Sequence, residues 1–375
     1  MSYSTRFQEL SLQFKIGRNT EIENAGVSVV FFPFKSHRSF TGVSGEINSF
    51  IISDSVEENE VFEYPVFVPS NARKHSEVIL LLHGLNERNW SKYLPWAEYL
   101  CKQTGKAVLL FPIAYHVNRS PHSWSNPRFL QKILDLRRTV HGNDRSLSFA
   151  NVALSERLSH NPQRFYSSGR QSFDDIVKLI GDIKAGKHPL FDKKTKIDVF
   201  AYSIGAFLSQ VLFLNNPNDY FSESKLFMFC GGSIFNSMCG ESRSIMDKKS
   251  YEQLFEYYQT GFWAEKIAVN TGDAVMASFY SMLTPDNEKL KRTSIFRQMK
   301  DRIGGVSLAL DKVIPYHGVV QALGHDCASK TITLLDLPYE YTHEAPFPVS
   351  KQVDQQEVDA SFLQIFRQAA GFLGN

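Results

Sequence analysis

Hydrophobic residues along this chain fall into two alternating rhythms from residue 76 onward. Short apolar runs, SEVILLLHG (76–84), AVLLFPIAY (107–115), KIDVFAY (196–202), KLFMFCGG (225–232), GGVSLALDKVIP (304–315) and TITLLDLP (331–338), read as strands. Runs this continuous suit strands covered on both faces. Longer segments with helical spacing lie between them. NWSKYLPWAEYLCKQTGK (89–106) carries an aromatic face, and SFDDIVKLIGDIKAG (172–186) sets Phe173, Ile176, Val177, Ile180 and Ile183 on one stripe that Gly186 closes. A buried helix begins near Ala206 and is stopped by Asn215, Asn216 and Pro217, and DASFLQIFRQAAGFL (359–373) is a terminal helix. The alternation predicts an α/β fold with a mostly parallel central sheet flanked by helices.

Two stretches break the rhythm. Residues 116–170 are a long polar and aromatic insertion, and residues 233–300 run through helical patterns rich in Phe, Tyr and Trp. The second lies between two strands, the usual place for a lid. Residues 1–75 read as a strand-rich extension, with GVSVVFFPF, INSFIIS and EYPVFVPS as its strands, and residues 76–375 as the main domain.

Composition narrows the function. The 41 basic and 39 acidic side chains leave a net charge of +2, too small a field to implicate nucleic acid or a membrane surface. The cluster Lys289, Lys291, Arg292, Arg297, Lys300, Arg302 is interleaved with acids and reads as a solvated helix face. The four cysteines lack paired spacing, so they read as reduced core thiols rather than disulfides or a zinc site. No apolar leader-like segment opens the sequence and no 18-residue apolar run occurs, so the expectation is a cytoplasmic protein without a membrane span.

The chemistry-bearing stretch is KIDVFAYSIGAFLSQVLF (196–213), where strand gives way to helix at Ser203. A very short strand-to-helix turn strains the corner residue and crowds its flanks. Small residues two places to either side, here Ala201 and Gly205, relieve that crowding, which is the physical content of a nucleophile elbow. A serine hydroxyl becomes a nucleophile only when a neutral imidazole takes its proton, and the imidazole needs a carboxylate to fix its tautomer. Asp311 ends an apolar strand and is the preferred orienter over Asp336, which lies within the last strand. His343, in PYEYTHEAPF after that strand, is preferred as base over His317 and His325.

With these residues in view, the chain resembles the α/β-hydrolase superfamily over about residues 76–375. LLLHGLNERNW matches the family's His-Gly loop, FAYSIGAFLSQ its elbow, and the order Ser, Asp, His its triad order. The insertions and the strand-rich start suggest a separate, bacterial branch. The resemblance implies backbone N–H groups of Leu85 and Ile204 as the oxyanion hole, with His83 bracing the loop. Asn118, Arg119, Trp124 and Tyr202 are candidate substrate contacts, while Phe255, Tyr257, Tyr258, Phe262 and Trp263 are expected to form the lid's own core. His116 and His122 do not match zinc spacing, so no metal is expected, and no cofactor motif is present. The expected function is cleavage of a small carboxylic ester or related acyl compound through an acyl-enzyme. A peptidase or amidase on the same triad, or a non-catalytic binder of the same fold, are the alternatives. The insertions are expected to cover Ser203 in a partly enclosed apolar pocket. Oligomeric state is not legible.

Overall fold

A computed structural model describes residues 2–22, 25–37, 55–70, 74–142, 144–262 and 272–375. Among these, β1 (Thr20–Ile22), β2 (Val27–Lys35), β3 (Val61–Pro69), β4 (His75–Leu82), β5 (Ala107–Phe111), β6 (Phe191–Tyr202), β7 (Leu226–Phe229), β8 (Ile303–Leu308) and β9 (Ile332–Leu335) form one sheet. Its order is β1-β2-β3-β5-β4-β6-β7-β8-β9. The six strands from β5 to β9 are mutually parallel, and β1, β2 and β3 extend the β5 edge in antiparallel pairing. This is the mostly parallel α/β sheet that the strand–helix rhythm predicts, and the α/β-hydrolase fold that the resemblance implies.

The apolar runs are continuous because each strand feeds two cores. On β4, Val78, Leu80 and Leu82 enter the core on one face, and Ile79 and Leu81 enter the core on the other. Burial of both faces supplies the main favourable term for such a sheet, roughly 1.5–3 kcal/mol for each large apolar side chain removed from water.

Among the described residues the α-helices longer than one turn are, in chain order, α1 (Tyr3–Gln13), α2 (Leu94–Thr104), α3 (Pro127–His141), α4 (Val152–His160), α5 (Gln163–Lys184), α6 (Ile204–Asn215), α7 (Lys248–Glu256), α8 (Ala274–Ser281), α9 (Lys289–Gln298), α10 (Tyr316–Leu323), α11 (His325–Thr331) and α12 (Gln355–Gly374). Side chains of α1, α2 and α12 build one core, and those of α5, α6, α9 and α10 the other. The insertion at 116–170 folds as α3, α4 and the start of α5. That at 233–300 contains α7, which runs into a π-helical turn at Tyr257–Gly261, and then α8 and α9.

Three readings change. Helix α1 carries no clear sequence signal, because its apolar face is thin. It is held by an Arg6 ion pair to the buried Glu98 (2.6 Å) and by Tyr3 against the Phe362 ring (4.7 Å between centroids). Helix α5 begins at Gln163, inside the first insertion, rather than at Ser172. Arg292 does not lie on a solvated face. It is buried and donates to the carbonyls of Ala322, Pro285 and Gln321, so that its charge joins α9 to the preceding loop and to α10. The strand expected in INSFIIS lies outside the described residues, and no described helix is long and apolar enough to cross a membrane.

The reversal in strand order positions the site. From β4 the chain moves outward to β5, then crosses back to lay β6 on the other side of β4. The connections therefore diverge between β4 and β6 and leave a crevice at their carboxyl ends, where open α/β sheets hold ligands. The register pairs Leu82 with Ala201, so the His83-Gly84 turn and Ser203 emerge side by side.

Candidate active site

Ser203 directly follows β6 and caps α6 with φ 57° and ψ −124°. A non-glycine residue in that region is strained, at a cost of order 1–3 kcal/mol, and persists only where its surroundings fix it. Here they do. A β-carbon on Gly205 would lie 2.7 Å from the Leu82 carbonyl oxygen, and one on Gly231 only 2.5 Å from the Ala206 β-carbon. Both glycines thus let the turn close against β4 and the end of β7. Ile204 is the first residue of α6, so its N–H is one of the groups that a helix start leaves without an intrahelical acceptor.

The hydroxyl of Ser203 lies 2.6 Å from His343 Nε2, and His343 Nδ1 lies 2.8 Å from Asp311 Oδ2. A carboxylate can only accept, so Nδ1 carries the proton. In the neutral imidazole Nε2 then offers its lone pair to the serine. The other Asp311 oxygen accepts the N–H groups of Val313 (2.9 Å) and Ile314 (2.8 Å), which fixes the carboxylate plane. All three residues are about 4% exposed, so water competes little for these bonds. The other candidates stand elsewhere. Asp336 is exposed and accepts from the Tyr341 hydroxyl, and His317 and His325 are exposed on α10 and α11.

The loop after β4 is equally determined. Ile113 N–H donates to His83 Nε2 (2.9 Å), so the proton sits on Nδ1, which donates to the Gly84 carbonyl (2.8 Å). Burial pulls the His83 imidazole well below its ordinary value, which keeps this tautomer neutral. With the Gly84 carbonyl pinned, the trans peptide fixes the Leu85 N–H to point the opposite way. Cys230, at φ 45° beyond β7, interacts with Asp311, and burial holds its thiol protonated.

Three candidate contacts are placed differently from expectation. Tyr202 is fully buried under the turn. Its ring stacks on His343 (5.5 Å, 16°) and its hydroxyl donates to the His343 carbonyl, because residues adjacent on a strand face opposite sides of the sheet. Asn118 donates to the Glu63 carbonyl on β3 (2.7 Å). Arg119 is buried in an ion pair with Asp175 (2.8 Å) and donates to Asn59 and Pro112, joining the insertion to α5. Neither lines the cavities described next. His116 donates from Nδ1 to the Ala114 carbonyl within its own turn, and among the described residues no group of three His, Cys, Asp or Glu side chains is placed to hold a metal.

Above Ser203 lies a chamber of about 470 Å³ lined by Leu85, Phe165, Phe235, Met238, Met246 and Ile314, among others. Phe165 comes from the first insertion, and Phe235, Met238 and Met246 from the second. Both segments therefore stand over the carboxyl edge of the sheet. A second apolar branch, of about 580 Å³, shares Leu85, Phe165 and Ile204 and runs along α6 past Phe207 and Val211 to Phe279. A third, more polar space is lined by Trp124, Arg88 and Arg157 and shares Leu85 and Phe165. Trp124 thus lines a neighbouring branch rather than the serine chamber, and Trp263 lies outside the described residues. Phe165 and Leu85 border all three spaces. Nothing in the sequence marks Phe165, which sits in a polar stretch at the start of α5.

Comparison with known proteins adds a family. The model of DUF6051, described as a family of unknown function, matches residues 1–374. A search of curated protein sequences gives no match. Solved structures similar to this chain include three esterases. Carboxyl esterase 2 of the mycorrhizal fungus Tuber melanosporum is 10% identical, over 98% of this chain and 96% of that chain, at a TM-score of 0.45. An esterase of Pyrobaculum calidifontis is 10% identical, over 99% and 89%, at 0.43. A thermostable esterase of Pseudomonas putida is 13% identical, over 94% and 85%, at 0.43.

Proposed function

We propose, for a chain that belongs to the family DUF6051, a serine hydrolase that cleaves carboxylic esters or related acyl compounds through an acyl-enzyme. The observation that carries this reading is the hydrogen-bond chain from Ser203 through His343 to Asp311, set on a strained turn at the floor of an apolar chamber. A buried Ser-His-Asp line with this order of donors and acceptors is what base-assisted attack requires.

In this mechanism Ser203 Oγ attacks the acyl carbon while His343 Nε2 takes its proton, and Asp311 stabilises the imidazolium. The carbonyl oxygen becomes an oxyanion held by the N–H groups of Leu85 and Ile204, each worth roughly 10²–10³ in rate. Collapse breaks the bond to the leaving alcohol, which receives the proton from His343. Water, deprotonated by the same imidazole, then attacks the acyl-enzyme, and Ser203 recovers its proton as the acid leaves. The insertions supply the cover that selects the acyl or alcohol part.

The chamber favours esters over peptides. Apart from Ser203, its polar side chain is Tyr251, whose hydroxyl is committed to the Met238 carbonyl (2.8 Å). A peptide entering it would leave N–H groups without side-chain acceptors, at about 1–3 kcal/mol each. The test is covalent labelling with a fluorophosphonate together with a panel of chromogenic esters of increasing chain length. Labelling at Ser203 and ester turnover are expected. An unlabelled protein that still binds an apolar ligand would instead establish a non-catalytic binder.

A further inference from the structure

One cluster of charged and hydroxyl groups beside the triad has no part in that mechanism. Tyr93 Oη accepts the Gly84 N–H (2.9 Å) and donates to Glu87 Oε1 (2.7 Å). The same carboxylate oxygen pairs with Lys92 Nζ at 2.5 Å, and Lys92 donates onward to the Glu344 carbonyl (3.0 Å). The ammonium also lies 4.6 Å from the centre of the Tyr202 ring, whose hydroxyl holds the His343 carbonyl.

The line therefore runs from the glycine before Leu85 to the residue after His343. It is mostly removed from water: the Lys92 and Glu87 side chains are 16% and 19% exposed, and Tyr93 and Tyr202 are buried. A half-buried ion pair is a weak source of stability, because desolvation offsets much of its attraction. Its geometry, however, is specific. Lys92 and Tyr202 pin two successive carbonyls, those of Glu344 and His343, and so fix the backbone from which the imidazole projects. Tyr93 pins the amide next to the peptide that presents the Leu85 N–H. Without these bonds each loop would keep its fold but gain freedom at the two groups that must meet one acyl carbon. Errors of about 1 Å in such placement cost on the order of 10²-fold in rate.

We infer that Lys92, Glu87 and Tyr93 are positioning residues that couple the oxyanion loop to the loop of the catalytic base, with Lys92 as the joint. The inference rests on the serine-hydrolase reading above. It requires that their loss act on the chemical step, not on substrate affinity, and that they act as one unit.

The experiment measures steady-state hydrolysis of a short chromogenic ester and the rate of fluorophosphonate labelling for wild type, Lys92→Met, Tyr93→Phe, the double variant and Lys92→Arg. Lys92→Met and Tyr93→Phe are each expected to lower kcat and the labelling rate about 10- to 100-fold, with KM within about twofold. The double variant should lose no more than the worse single, and Lys92→Arg, which keeps the charge and donors, should recover most of the loss. Tyr93→Phe preserves the ring and its packing, so it carries the test even if Lys92→Met does not fold. Unchanged labelling rates, losses that multiply in the double variant, or an effect confined to KM would overturn the coupling alone. A folded wild type that is not labelled would overturn the hydrolase reading, and the coupling with it.

Discussion

Gly205 sits against the backbone of His83: a β-carbon on it would lie 2.8 Å from the His83 carbonyl oxygen, as well as 2.7 Å from that of Leu82. Both oxygens belong to main chain that cannot rotate away. Gly205→Ala should therefore destabilise the fold by about 1–3 kcal/mol, the usual range for forced overpacking. It should also slow ester turnover, because the displaced backbone leads directly into Leu85. Denaturant unfolding and turnover of the same preparation check both; an unchanged midpoint would show that the turn has room.

Ser203→Ala removes the proposed nucleophile and its bond to His343 while leaving the strained turn in place. Fluorophosphonate labelling should vanish, and turnover should fall by roughly four to six orders of magnitude. Labelling that persists on another serine would refute the assignment.

His343→Ala should cost nearly as much as Ser203→Ala, and the double variant little more than either, because on the proposed mechanism the three groups work as one unit. His325→Ala, at an exposed position on α11, should be nearly silent. The measurement is kcat/KM for the four variants on one ester.

Phe165, with Leu85 and Ile204, borders both the serine chamber and the apolar branch along α6. Phe165→Ala should join them and shift the preferred acyl or alcohol chain towards longer esters, with rate ratios changing by tenfold or more. A chain-length series checks this, and an unaltered profile would remove Phe165 from substrate selection.

Burial pulls the imidazole of His116 from 6.5 down to about 4. The unfolded chain thus takes up a proton near pH 6.5 that the folded protein refuses until about pH 4. The stability His116 contributes is complete above pH 6.5 and is lost as pH falls from 6.5 to 4, by up to about 3 kcal/mol. His116→Asn keeps a donor for the Ala114 carbonyl and lacks the titration. It should make the fall of melting temperature between pH 7 and pH 4.5 shallower, and identical slopes would show that His116 does not drive it.

Much of the architecture was legible because burial on both faces leaves a plain mark. The runs at Val78–Leu82 and Ala107–Phe111 admit few readings other than central strands, and a serine between small residues at a strand–helix joint is a local pattern. Asp311 and His343 were placed by the strands they follow, and the structure brings both to Ser203. What escaped was set by tertiary contact. Whether Arg119 faces a rim or the interior depends on Asp175, far along the chain. Helix α1 has only Tyr3 and Leu10 fully buried, too thin a stripe to show a period. The Glu87–Lys92 pair looks like any surface pair until Glu344 is brought beside it.

The meeting of α1 with α12 has a consequence for how the chain is made. Ser4 bonds to Asp359, and Tyr3 packs on Phe362 and Phe347, so one core of the sheet closes only when segments some 350 residues apart meet. Contacts so distant in sequence slow folding, because loop closure must be completed before they contribute. His343 lies in the loop between β9 and α12. A chain still emerging during synthesis would therefore carry Ser203 before His343 could meet it. On the proposed function, hydrolytic competence would appear late and abruptly, as α12 docks, and activity would report completed folding rather than the central strands alone.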